Sequence, residues 1–226
     1  MLTDHHCHIL PEIDDGSESA EMSVSMIDMM KSQGVERIIA TPHFYAHREK
    51  SVDDFLVKRQ KAFNKIKDIS PVKNIFLGAE IAIEHGISEI KGIEKLAIQG
   101  TRLILLELPY RPYEKWMSEE IYNISAEFNL KVMLAHVHRY LQYYKKDELE
   151  LILSTKSVLQ LNNEAFSNWS EKKFAKSILN NYQRIAFGSD AHDTSSRKPN
   201  WDIINKKVKQ EFIDISNGIC ERYAIK

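Results

Sequence analysis

The chain has 226 residues, 43% hydrophobic and 28% charged, a globular rather than disordered balance. Lysine and arginine number 31 against 32 acids, a formal net charge of −1, which gives no support to a nucleic-acid or anionic-membrane partner bound by bulk charge. No run approaches about 18 consecutive apolar residues, so no integral membrane segment is expected. The N-terminus lacks a signal-peptide plan, and Cys7 and Cys220 are too few for a disulfide framework. The chain reads as one cytoplasmic domain over 1–226, within the roughly 200–250 residues of a single barrel.

Leu2–His8 is the first expected strand. It carries Asp4-His5-His6-Cys7-His8, followed by Asp14-Asp15-Gly16 in a tight loop. Alternation along a strand sets Asp4, His6 and His8 on one face, with His5 and Cys7 on the other. Ser19–Gln33 has helical apolar spacing and a glycine stop at Gly34, its methionines serving as core filler. Glu36–Ala40 is a strand delivering Thr41-Pro42-His43, and Val52–Ile69 is helical. Asn74–Leu77 is a strand ending in Gly78-Ala79-Glu80, and Lys91–Gly100 a short helix and turn. Arg102–Leu108 brings Glu107, and Lys131–Ala135 presents His136. Val158–Leu161 leads into Asn162-Asn163-Glu164, and Arg184–Phe187 opens into Gly188-Ser189-Asp190-Ala191-His192. Helices are expected over Glu114–Asn129, Lys145–Ser154 and Glu171–Asn181, with a terminal helix from Trp201.

About seven strands alternating with helices point to a mainly parallel sheet closed as a (β/α) barrel. Catalytic side chains of such barrels sit at the C-terminal ends of the strands. An isolated His-x-His is a weak signal. Here, however, His6, His8, Asp15, His43, Glu80, Glu107, His136, Asp190 and His192 all fall at or just after strand ends.

Mixed imidazole and carboxylate donors suit zinc, manganese or iron rather than magnesium or calcium. Nine donors exceed the needs of one ion, so two or three bridged divalent ions fit better. Such clusters serve phosphoryl transfer by bringing the pKa of bound water from 15.7 towards ~7, generating hydroxide at neutral pH. Arg139 and Arg197 follow the metal-type histidines, and a guanidinium fork matches phosphate oxygens. Cysteine-based phosphatase chemistry is excluded, because Ile13 and Lys226 stand where a phosphate-loop arginine would follow Cys7 and Cys220. Neither a Gly-x-Ser-x-Gly elbow nor a Walker-type loop occurs.

Together, His6-x-His8 with Asp15-Gly16, Thr41-Pro42-His43, Gly78-Ala79-Glu80, Glu107, Ala135-His136 and Gly188-Ser189-Asp190-Ala191-His192 resemble the polymerase-and-histidinol-phosphatase (PHP) superfamily. Within it, the Asp14-Asp15-Gly16-Ser17 loop and the segments around Glu80 and Glu107 are similar to the manganese-dependent tyrosine phosphatases of bacterial capsule and exopolysaccharide operons. The resemblance implies an α/β fold, a distorted (β/α)7 TIM-like barrel, with three metal ions. It implies one ion on His6, His8, Glu80 and Asp190, a second on Glu80, Glu107 and His136, and a third on Asp15, His43 and His192. Manganese is the expected metal, with iron and zinc compatible. Arg139 and Arg197 would match the phosphate-binding arginines, and His43 joins them as a catalytic candidate. The implied substrate is a phosphotyrosyl protein, notably a bacterial tyrosine autokinase.

Relatives carry Pro-Glu-Arg-Tyr after the metal histidine, whereas this chain reads Val137-His138-Arg139-Tyr140. His138 is therefore expected to leave Arg139 without an acidic neighbour and to add a proton donor at the mouth. The alternatives are a small-molecule phosphomonoesterase, such as a histidinol phosphatase, and a catalytically idle metal-binding regulator. A nuclease is disfavoured by the absence of a basic stripe.

Overall fold

A computed structural model describes residues 1–225. Its strands, in chain order, are β1 Leu2–Cys7, β2 Val35–Ala40, β3 His43–Phe44, β4 Asn74–Leu77, β5 Glu80–Ala82, β6 Leu103–Glu107, β7 Lys131–Leu134, β8 Val158–Asn162 and β9 Ile185–Gly188. All strand pairings are parallel, in one sheet of order β1-β2-β4 and another of order β3-β5-β6-β7-β8-β9.

Nine strands rather than seven arise because two of the expected strands break and resume. Pro42, which has no N–H to give a ladder, separates β2 from β3, and Gly78-Ala79 separates β4 from β5. The two halves of each pair form one bent stave, so seven staves remain. β9 meets β1 through Asp190 N donating to His6 O at 2.8 Å and His8 N to Ala191 O at 2.9 Å. The result is a distorted (β/α) barrel of seven staves whose hydrogen-bond ladder is not one continuous closed sheet among the described residues.

The helices are α1 Ala20–Ser32, α2 Val52–Asn64, α3 Lys115–Glu127, α4 Lys146–Ser154, α5 Trp169–Asn181, α6 Trp201–Lys207, α7 Gln210–Asn217 and α8 Ile219–Arg222. Ser19 Oγ caps α1 by accepting from Met22 N at 3.1 Å, and Ser51 Oγ caps α2 from Asp54 N at 3.0 Å. The second helix stops at Asn64 rather than Ile69. Beyond it, turns bury Ile66 and Ser70 Oγ bonds locally to Val72 O. The terminal helix is three helices, because Val208 goes extended and Gly218 ends α7. Lys91–Gly100 contributes one 3-10 turn, Ile93–Leu96. Among the described residues no helix is long and apolar enough to cross a membrane.

Strand alternation divides the core in two. Ile104, Leu106, Val132, Leu134, Leu159, Leu161, Ile185 and Phe187 face the helices. Leu103, Leu105, Met133, Ala135, Val158 and Ala186 fill the barrel's lower interior. Continuing the same inward register upward gives Glu107, Gln160 and Asn162. The lumen thus turns from apolar to polar towards the C-terminal strand ends, where ligands and water have access.

Candidate metal centre

β1 carries His6 and His8 into the top of the lumen, both fully buried. Four donors converge there. His6 Nε2 lies 3.1 Å from Glu80 Oε2 and 3.6 Å from Asp190 Oδ1. His8 Nε2 lies 3.2 and 3.4 Å from the same oxygens, and the two imidazole nitrogens are 3.2 Å apart. Donors bonded at about 2.1 Å to one ion stand about 3.0 Å apart in octahedral and about 3.4 Å apart in tetrahedral geometry. Four of these five separations fall between the two spacings, and the fifth, His6 to Asp190, lies just above them.

Two further groups adjoin the first. His8, Asp15, His43 and His192 can offer one set of ligand atoms, and His43, Glu80 and Glu107 another. His136 Nε2 completes the latter region at 2.8 Å from Glu80 Oε1 and 3.4 Å from Glu107 Oε1. The structure therefore brings all nine sequence-predicted residues into one cluster around Glu80, with Asp15 on the exposed rim. It adds His8 to the Asp15 group and His43 to the Glu107 group, neither of which the spacing alone indicates.

The cluster fits cations on its own chemistry. His43 Nδ1 is 3.2 Å from Glu80 Oε2 yet makes no hydrogen bond, and His192 Nε2 is buried without a partner 3.6 Å from Asp15 Oδ1. Donor atoms that are close but unbonded suit a cation between them. Burial alone would raise the Glu80 carboxyl, but the His6 charge and hydrogen bonds from His136, His6 and His8 hold it well below the ordinary range. Asp190 likewise stays low against burial, through His6, His8 and Arg139. His136 rises to about 9 despite burial, because Glu107 and Glu80 accept from it. Buried carboxylates stay ionised here only through neighbouring positive charge, a part that a bound cation would also serve.

Supporting residues that sequence reasoning passed over set the ring orientations. Asp14 Oδ2 accepts from His8 Nδ1 at 2.7 Å and from His43 N at 2.9 Å, which leaves His8 Nε2 for the cluster. Gln160 Oε1 accepts from His136 N at 2.6 Å and faces His6 Nδ1 at 3.2 Å. Asn162 Nδ2 donates to Asp190 Oδ2 at 3.0 Å. The signal for both amides was present as two polar residues alternating within the apolar run Val158–Asn162. Asp4 does not share the His6 and His8 environment. β1 is irregular between Asp4 and Cys7, and the Asp4 carboxylate accepts from Trp201 Nε1 at 2.7 Å, Ser189 N at 3.0 Å and His6 N at 3.1 Å.

Backbone strain marks the same place. Of the four non-glycine residues with positive φ among the described residues, two lie here, His136 at 29° and Asp190 at 49°, conformations that the surrounding packing must impose. Gly16 and Gly188 are needed for close approach. A Cβ on Gly16 would stand 2.4 Å from His8 O, and one on Gly188 2.7 Å from His6 Cβ.

Arg139 and Arg197 reach over the cluster and meet at Asp190 Oδ2, at 2.8 and 3.1 Å. Contrary to expectation, Arg139 keeps an acidic neighbour, since Glu164 Oε1 accepts from it at 3.0 Å. Glu164 is lowered to about 2 against burial, by His138 and Arg139. His138 is not a donor at the mouth. It is buried, its Nε2 lies 3.8 Å from Glu164, and burial depresses its pKa. The cleft above the centre has a volume of about 680 Å³ and is walled partly by Tyr45, Tyr110 and Trp116.

Comparison with known proteins agrees with this architecture. CapC of Staphylococcus aureus is 29% identical over 209 residues, covering 87% of this chain and 79% of that protein. The tyrosine-protein phosphatase CpsB of Streptococcus pneumoniae is 28% identical over 240 residues, covering 94% and 96%. Among solved structures, a chain from the crystal structures of YwqE from Bacillus subtilis and CpsB from Streptococcus pneumoniae, described as metal-dependent tyrosine phosphatases, shares the fold, with a TM-score of 0.77 at 22% identity over 97% of this chain and 92% of the other. An Escherichia coli phosphotriesterase homology protein shares it more distantly, with a TM-score of 0.55 at 11% identity over 95% and 94%. The family model described as capsular polysaccharide synthesis, CpsB/CapC, matches residues 2–217, and the chain belongs to that family.

Proposed function

We propose that this chain is a metal-dependent protein-tyrosine phosphatase. The observation that carries the reading is the convergence of four carboxylates and five imidazoles beneath two guanidinium groups, at the floor of an aromatic-walled cleft. His6, His8, Glu80 and Asp190 would hold one ion, Glu80, Glu107 and His136 a second, and Asp15, His43 and His192 a third, with Glu80 bridging. Two to three divalent ions, manganese by preference, would neutralise phosphate charge and lower the pKa of water. Family membership supports a phosphotyrosyl protein as substrate, a bacterial tyrosine autokinase of capsule synthesis in the cytoplasm being the fitting partner.

The chain's own residues supply binding and orientation. Arg139 and Arg197, fixed through the shared Asp190 oxygen, offer N–H groups to the non-bridging phosphate oxygens. Asp14 and Gln160 lock the imidazoles that face the ions. The departing group is a phenolate with a pKa near ~10, so its loss needs no strong acid from the protein.

The test is turnover of a phosphotyrosyl peptide and of histidinol phosphate by manganese-loaded protein, with and without chelator. Chelator-sensitive, thiol-alkylation-resistant cleavage of the peptide is expected. Turnover of histidinol phosphate alone would move the activity to small-molecule esters. Peptide-tail binding with background turnover in every metal would make the chain a regulator.

A further inference from the structure

We infer that Tyr45, Ala82 and Tyr110 form the slot that receives the ring of an aryl phosphate and so set the preference for aryl over alkyl esters. The inference rests on the phosphatase reading and deepens it. In the parallel pairing of β3, β5 and β6, His43 stands beside Glu80 and Ala82 beside Glu107, so Tyr45 follows His43 into the level of Ala82. Period-two alternation turns His43 and Tyr45, then Glu80 and Ala82, to the lumen, while Phe44 and Ile81 enter the outer core.

Directly above the bridging Glu80, the stave carries only a methyl group. On either side of that gap is an aromatic ring. Tyr45 lies 5.2 Å from the His43 ring, and Tyr110, from the segment after β6, stacks 5.9 Å from His136. All three residues line the cleft. Tyr110 leans to the β7 side, its ring also 5.3 Å from Tyr143 and 6.0 Å from Tyr140, so Tyr45 bounds the gap from β3 and Tyr110 bounds it from the segments that follow β6 and β7. Arg139 and Arg197 come from the β7 and β9 sides. A phosphate held between them and Glu80 therefore directs its ester oxygen towards the slot. An alkyl ester offers the slot no π-face.

The experiment compares phenylphosphonate with methylphosphonate binding to manganese-loaded protein by calorimetry, in parallel with the kcat/KM ratio for 4-nitrophenyl phosphate over glycerol phosphate. Wild type should prefer the phenyl ligand. Tyr45→Ala should lower both ratios about tenfold, as expected for loss of one ring contact, and Tyr45→Phe should restore them. Ala82→Leu, which fills the gap, should abolish the phenyl preference while metal content stays at the wild-type level. Ratios within twofold of wild type in both Tyr45→Ala and Ala82→Leu would overturn the slot. Failure of the phosphatase reading would look different, as phenyl-selective binding without turnover of any aryl phosphate.

Discussion

Asp14 and Arg139 show how single side chains set the properties of the centre. Asp14 touches no proposed ion site but anchors both the His8 ring and the His43 amide. Asp14→Ala should weaken metal binding about 10–100-fold in a competitive chelator titration, with the fold intact by circular dichroism. Arg139 is already braced by Glu164 and Asp190, so its fork arrives preorganised. Arg139→Lys keeps the charge and loses the fork. It should lower kcat/KM on phosphotyrosyl peptide by about 10–100-fold without altering metal content. Equal metal affinity in Asp14→Ala, or wild-type kinetics in Arg139→Lys, would contradict these roles. The nine donors were legible because imidazoles and carboxylates at strand ends are rare chemistry in a regular pattern. Asp14, Gln160 and Asn162 were harder to read. Their value depends on which ring nitrogen or carboxylate oxygen lies opposite them across 6 to about 150 residues of chain, and no local spacing encodes that.

At the level of elements, the departures from expectation lie where the site demands them. β2 and β4 were recognisable from their apolar runs, but β3 and β5 are two and three residues long, too short for any periodicity. They exist because Pro42 and Gly78-Ala79 bend each stave, and the bends aim His43 and Glu80 at the centre. Arg59 steadies the second bend, its Nη1 donating to Gly78 O at 2.6 Å from α2. β9 depends on Gly188, against which His6 packs. Gly188→Ala must push β1 and β9 apart or displace His6, a local overpacking that costs about 1–3 kcal/mol. Thermal denaturation should show a Tm lower by roughly 3–10 °C for a chain of this size, together with weakened metal binding. An unchanged Tm would mean that β1 can shift freely.

Across the whole molecule, the end of the chain reaches back to its beginning. Trp201, at the start of α6, donates to Asp4 of β1, and Thr3 N donates to Asn217 Oδ1 at 2.9 Å. Barrel closure between β9 and β1 therefore relies on the C-terminal helices as well as on the few backbone hydrogen bonds at Asp190 and Ala191. The break of the terminal segment into three helices lets it wrap this seam, which a single straight helix could not do. Trp201→Phe would leave a buried Asp4 oxygen short of a donor, a loss of about 1–3 kcal/mol, read as a lower Tm and earlier metal release on heating.

The role of Glu80 as organiser of a multinuclear centre can be checked by elemental analysis of purified wild type and Glu80→Ala. Two to three equivalents of divalent metal are expected in the wild type and no more than one in the variant. Less than one equivalent in the wild type, or the same content in both proteins, would contradict it.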